Sequence, residues 1–391
     1  MRSQKCRTIT SQQVHSWTLK WLLQARLLKD HGWLCSAAVV WNVLLRATAR
    51  KLSVFAACSD LAKAPSQTAV FNALKAGLPK TLKVLERRLN EALTGELPRS
   101  MRRRSWHVAI DFHSVPYYGE PDKSRNELYY GKPAHGTTKF HAYATACIVQ
   151  YGQRYTVALT WVRRHESTVT VLKRLLAQMR TIGLKIRTVL LDRAFFNVLV
   201  VAFLQDEKLP FLMPVMFRGR RPKKRRGRRL IGLHRIQRQR AGWYSHTMKN
   251  KQRQVRVQVC VAYRTHHNRK DRKRVQQKLL FAAWRVSGTP REIRQHYRTR
   301  FGIESSYRQL RQARIYTCTR NPRLRLLFIA VALILRNLWV WIHATMLAEG
   351  WGESLTLHLE VLRFKRMLYW IEHTVIALLH DGATPYVVRG P

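Results

Sequence analysis

The sequence predicts an α/β protein. A core of alternating strands and helices spans residues 101–320, broken by a mainly β, basic insertion at 214–278. Helical regions flank it at 1–100 and 321–391. Three observations predict this plan. Apolar residues recur at helical spacing on both flanks. Between residues 106 and 217, β-type apolar runs alternate with amphipathic helical stretches. From 253 to 263 the period switches to two, as in a half-exposed strand. At 391 residues, 46% hydrophobic with 12 Trp, the chain can build sizeable cores. By the soft rule of about 150 residues per domain, two or three domains fit.

The N-terminal stretch QVHSWTLKWLLQARLLKDHG reads as a helix ending at Gly32, and SAAVVWNVLLRATARKL as a second. Pro65-Ser66 opens SQTAVFNALKAGL, with Ser66 as the N-cap. A short helix, a turn and a helix from Ser66 would make a helix-turn-helix that turns Gln67, Thr68, Asn72 and Lys75 to DNA. Plain helical packing accounts for the same pattern.

In the core, WHVAIDFHSV, AYATACIVQYG and RYTVALTWVRR read as strands, the last two joined around Gly152. Residues 166–182 form an amphipathic helix. RTVLLD is a short, almost wholly apolar strand, as expected at the centre of a sheet. FFNVLVVAFLQDEKL is a helix and PFLMPVMF a strand. The order is βββαβα, the ribonuclease H-like arrangement. In the insertion, RGRRPKKRRGRR (218–229) places Lys223, Lys224, Arg225 and Arg226 where they can meet phosphates; the plainer alternative is a solvated linker. RQVRVQVCVAY and KLLFAAWRV read as further strands. Helical periodicity returns at REIRQHYRTRFGIESSYRQLRQARIY, with Gly302 where backbone must come close to a partner.

The C-terminal region is helical and apolar, with Trp339, Trp341, Trp351 and Trp370 set to pack on the core or on another subunit. Its apolar run from Leu326 to Leu335 is cut by Arg336 and Asn337. A span needs about 20 predominantly apolar residues, so a buried helix is expected rather than a membrane segment. The six Cys are scattered without metal spacing and read as reduced. The N-terminus lacks the apolar core of a signal peptide. A cytoplasmic, nucleoid-associated protein is the expectation.

The chain carries 72 Lys+Arg against 21 Asp+Glu, a net charge of +51. Such an excess speaks of a polyanionic partner, and double-stranded DNA is the expected one. In so basic a chain, a carboxylate on an apolar element needs a reason. Asp111 lies inside its strand, Asp192 closes its strand, and Glu304 sits in a helical pattern. Hard oxygen ligands on rigid supports suit two divalent ions that clamp the attacking and leaving oxygens of a phosphodiester. Taken singly, Asp111 or Asp192 could as well be a strand-end cap or an ion-pair partner of an arginine.

Three ordered blocks carry a resemblance. Residues 297–311 hold Tyr297, Arg300, Glu304 and Arg311 at the spacing Y-x2-R-x3-E-x6-[K/R]; LLDRAFF holds Asp192 and Arg193; AIDFHSVPYYG holds Asp111. The chain thereby resembles the DDE transposases of prokaryotic insertion sequences that carry the Y-x2-R-x3-E-x6-K signature. The resemblance covers about residues 105–315. Arg311 stands where that signature has Lys, a planar fork in place of a compact ammonium. It implies a ribonuclease H-like core and three catalytic, metal-binding acids: Asp111, Asp192 and Glu304. It implies Mg²⁺, with Mn²⁺ as a substitute. Cleavage at element ends and joining of the 3′-OH to target DNA would follow, in a self-associated synaptic complex. Tyr297, Arg300 and Arg311 are implied DNA contacts; from Tyr297 the offsets to Arg300, Glu304 and Arg311 are 3, 7 and 14, which return near one face of a single helix.

Further DNA-contact candidates are Arg193, Lys139 with His141, and Trp243, whose ring could stack on a flipped base or simply pack. His113 shares the strand face of Asp111 and reads as either a core histidine or a neighbour of metal. Two rival activities stay open: a metal-dependent nuclease without strand transfer, and a DNA-binding protein whose catalysis has decayed.

Overall fold

The computed structural model describes residues 8–120, 128–150, 152–217, 231–267, 274–349 and 356–379. In chain order the helices and strands are α1 (Ser11–Gln24), α2 (Ala37–Arg50), α3 (Val54–Ser59), α4 (Gln67–Gly77), α5 (Leu82–Thr94), β1 (Ser105–Pro116), β2 (Tyr129–Ala134), β3 (Thr137–Ile148) and β4 (Thr156–Val162). Next come α6 (Thr168–Thr181), β5 (Lys185–Leu191), α7 (Val198–Asp206), β6 (Phe211–Pro214), α8 (Gly232–Ile236), β7 (Gly242–Lys249), β8 (Gln254–His267) and β9 (Arg274–Trp284). The chain closes with α9 (Pro290–Arg298), α10 (Phe301–Leu310), α11 (Pro322–Ile342) and α12 (Phe364–Leu379).

Starts are set by polar caps. The side chains of Ser36, Ser66 and Ser167 accept backbone N–H groups of α2, α4 and α6. Thr289 and Glu292 form a capping box at α9. The first helix stops at Gln24, short of the expected Gly32. The apolar pattern runs on because Leu27 and Leu28 are buried from a loop.

The strands form one mixed sheet in the order β2-β3-β1-β5-β6-β9-β8-β7, with β4 also on β3. β1 runs antiparallel to β3 and parallel to β5; β6 runs parallel to β5. The apolar residues of β5 are buried between layers, as their composition predicts. The insertion strands do not stand apart. β9 pairs antiparallel with β6, from Phe211↔Trp284 to Pro214↔Phe281, and β8 and β7 follow as a meander. β2, absent from the sequence reading, is short, mostly exposed and rich in Gly and Pro, so its pattern is weak.

The two helical flanks share one core. Trp21, Leu22, Trp41 and Leu44 pack with Leu327, Ile334, Leu338 and Ile371. Val115, Tyr143, Leu159 and Trp161 of the sheet join them. A buried ion pair ties α2 to α12: Arg46 donates to Glu372 at 2.6 Å. By length and composition, Pro322–Leu347 could cross a membrane, yet 94% of its apolar window is buried inside the fold. The two polar residues that interrupt it are satisfied there. Arg336 donates to Gln309 Oε1 at 3.0 Å and to the Arg154 carbonyl. The Asn337 side chain accepts the Thr156 N–H at 2.9 Å and donates to the carbonyls of Thr156 (2.7 Å) and Leu93 (2.9 Å).

Candidate catalytic site

Two carboxylates come from neighbouring parallel strands. Ile110 is in register with Leu191, so Asp111 and Asp192 each follow a paired residue. The third comes from α10, which lies over β1 and β3. Two buried tyrosines pin the covering helices to the backbone beside the acids. Tyr297 donates to the Leu191 carbonyl at 3.2 Å, and Tyr307 to the Asp111 carbonyl at 2.9 Å. The Tyr307 hydroxyl also meets Thr145 Oγ1 at 2.8 Å.

Asp111 and Glu304 converge on one cation. Arg300 reaches Asp111 Oδ2 through Nη1 at 3.2 Å and Glu304 Oε1 through Nη2 at 2.6 Å. Arg300 is 5% exposed. The side chain of Glu304 is 45% exposed. The remaining Asp111 oxygen accepts its neighbour's N–H, from Phe112 at 2.9 Å, and Asp192 Oδ1 accepts that of Arg193 at 2.7 Å.

Burial pushes the Asp111 carboxyl up to about 6. Arg300 and the Phe112 N–H pull against that, and the negative charge of Asp192 adds to it. The Asp192 field thus reaches Asp111 across the strand pair. A raised carboxyl binds protons that a metal must displace. Divalent-ion affinity of the DNA-free protein should therefore be level above pH 6 and fall about tenfold per pH unit below it. A titration of Mn²⁺ by electron paramagnetic resonance between pH 5 and 8 checks this; affinity that weakens as pH rises would contradict it.

The expected single helix from 291 to 316 is broken. Arg300 donates its N–H to Tyr297, Gly302 to Thr299 and Ile303 to Arg300, all three-residue steps. This tighter winding separates α9 from α10, so offsets counted at 3.6 residues per turn do not carry through. Tyr297, Arg300 and Glu304 stay together. Arg311 does not join them; it is exposed at the end of α10, beside His113. Tyr297 and Arg300, implied DNA contacts, are buried in this conformation. Gly302 does make a close approach, but to the chain itself. A Cβ there would sit 3.3 Å from Arg154 Nε.

His113 is buried against Tyr307, with ring centroids 4.9 Å apart, and is pushed down to about 4 by burial and by the charges of Arg311 and Arg314. It is thus a neutral core histidine. His141 is likewise buried, edge-on to Tyr117. Lys139 is half-buried on the β2–β3 hairpin, with its carbonyl taken by the Tyr117 N–H. Arg193 is exposed next to Asp192. The Trp243 indole N–H is already spent on the Gly288 carbonyl at 2.9 Å, in the core behind α9. Lys223, Lys224, Arg225 and Arg226 lie outside the described residues. Tyr307 and Thr145 were not foreseen. The signal lay in Tyr307 standing three residues after Glu304 and seven after Arg300 on one helical side.

Three carboxylates are the right donors for a hard divalent ion. Their present spacing is not a finished cage. Among the described residues, no group of three or more His, Cys, Asp or Glu side chains is placed to hold a metal ion. The guanidinium of Arg300 stands between two of the three acids. Donor chemistry fits a divalent ion, and the arrangement seen here is one in which an arginine satisfies the same oxygens.

A mixed α/β sheet with acids on adjacent parallel strands and a third on the covering helix defines a basic protein with a carboxylate-centred site. The chain belongs to the transposase DDE domain family, which matches residues 102–338. Membership implies metal-dependent nucleotidyl transfer. The fold is similar to that of a piggyBac transposase in the cryo-EM structure of its synaptic complex with hairpin DNA. The TM-score is 0.52 at 12% sequence identity, covering 96% of this chain and 82% of that one. No curated protein sequence matches the chain.

Proposed function

We propose that this transposase binds the ends of a mobile element, cleaves them with divalent metal, and joins the freed 3′-OH to target DNA. We read its core as ribonuclease H-like and its relatives as the insertion-sequence group with the Y-x2-R-x3-E-x6-K signature. The observation that carries the proposal is the meeting of Asp111 and Glu304 on one buried arginine, with Asp192 in their field. Asp111, Asp192 and Glu304 would hold Mg²⁺ or Mn²⁺, which when bound activates the attacking oxygen and stabilises the leaving one. The protein's own part is positional. β1 and β5 fix two carboxylates by their register, and Tyr297 and Tyr307 fix the helices that bring the third. The charge of +51 supplies a sequence-independent hold on DNA phosphates. The exposed Thr68, Asn72 and Lys75 of α4 supply a surface for reading DNA.

The test uses the full chain, Mg²⁺, a plasmid bearing the DNA segments that flank the reading frame, and a second plasmid as target. Joined product is expected. Cutting without joining would convert the reading to a nuclease, and no cutting with any divalent ion would overturn it.

A further inference from the structure

The place of Arg300 goes beyond what the proposed chemistry requires, and the inference drawn from it rests on that proposed function. The residue is buried, yet only two of its three nitrogens are satisfied; its Nε–H is enclosed without a hydrogen-bond partner. Arg46, in its own buried pair with Glu372, shares such an orphaned Nε; what sets Arg300 apart is that both of its acids are candidate metal ligands. This arginine is held by hydrogen-bonded ion pairs to Asp111 and Glu304, by the field of Asp192, and by the rings of Tyr297 and Phe301, whose centroids lie 5.7 and 5.3 Å from its guanidinium carbon. It also sits at the joint where α9 passes into α10, where three-residue hydrogen bonds replace the helical pattern. One partner, Glu304, is open to solvent.

A doubly charged cation drawn to Asp111 and Glu304 meets a like charge already seated there. The two positive groups compete for the same carboxylate oxygens, and like charges at such range repel strongly in a half-buried site. We propose that Arg300 is an internal counter-ion: it holds Asp111 and Glu304 together while no divalent ion is present, and it is expelled when one enters. Expulsion carries the guanidinium out past Glu304, toward the side from which a DNA phosphate would approach. Its planar fork suits that second partner as well as the first. Chelation and DNA engagement are thereby coupled through one side chain, without a large movement of the sheet.

The experiment measures Mn²⁺ binding by electron paramagnetic resonance on the full-length, DNA-free protein at pH 8.5. The wild type is compared with Arg300→Gln, Arg300→Lys and Asp111→Ala. Arg300→Gln should bind Mn²⁺ at least roughly tenfold more tightly than wild type, because the competitor is gone. Arg300→Lys, a compact ammonium that cannot fork between two acids, should fall between. Equal or weaker binding by Arg300→Gln overturns the proposal. A second measurement needs no folded Gln variant. In wild-type protein labelled with ¹⁵N-arginine, the guanidinium signal absent from Arg300→Lys should be protected from exchange. It should lose protection when Mg²⁺ is added to saturation; protection that persists overturns the proposal. Mn²⁺ bound by wild type and lost in Asp111→Ala, with no gain in Arg300→Gln, sinks the counter-ion while leaving the catalytic reading intact. No Mn²⁺ bound by any form sinks both.

Discussion

Asp111→Ala, Asp192→Ala and Glu304→Gln should each lower cleavage of element-end DNA by about 10³-fold or more, with DNA affinity held within a few-fold. The three act as a unit, so a double variant should be scarcely worse than a single one. Fold loss does not explain such a result at Glu304 or Asp192. Glu304 lies at the surface, and Gln keeps its shape and its hydrogen bond to Arg300. The Asp192 side chain accepts the N–H of Arg193 and caps one short turn. Gel-shift affinity and cleavage measured on the same preparations separate binding from chemistry. Retention of a tenth of wild-type cleavage by any of the three would remove that residue from the catalytic set.

The largest expected effect on stability belongs to Asn337. Its side chain closes both backbone groups of Thr156 and the carbonyl of Leu93, joining α11 to β4 and α5 inside the core. Asn337→Leu adds apolar bulk but strands one buried N–H and two buried carbonyls. At about 1–3 kcal/mol for each unsatisfied group, the loss should be about 4 kcal/mol. Urea unfolding of the two proteins measures it, with Leu335→Met as a mild control. A loss below about 1 kcal/mol would mean that the amide is not the joint between these layers.

Much of the site was legible because its parts are local. Asp111 in an apolar strand and Asp192 at the end of another stand out by contrast with their neighbours. Ser66 announces α4 by the hydroxyl its first turn needs. Arg336 and Asn337 argued for a buried helix, and the fold supplies both with partners. What escaped the sequence was tertiary. Periodicity drew one helix through 291–316, because a three-residue step at Arg300 leaves no mark in an apolar pattern. The pairing of β9 with β6, which turns the insertion into more of the same sheet, depends on contacts between distant segments. Trp243 offered a polar handle as well as a ring, and a backbone carbonyl took the handle. Arg300 read as a contact for phosphate because its charge was visible and its burial was not.

The helices near the start of the sequence share a core with α11 and α12. Trp21 donates its indole N–H to the Ala92 carbonyl of α5 at 2.6 Å, and with Leu22 and Trp41 it shares a core with α11 and α12, roughly 300 residues later. Synthesis therefore releases the first segment long before the surface it must cover exists. An incomplete product would leave part of the apolar face of those helices uncovered.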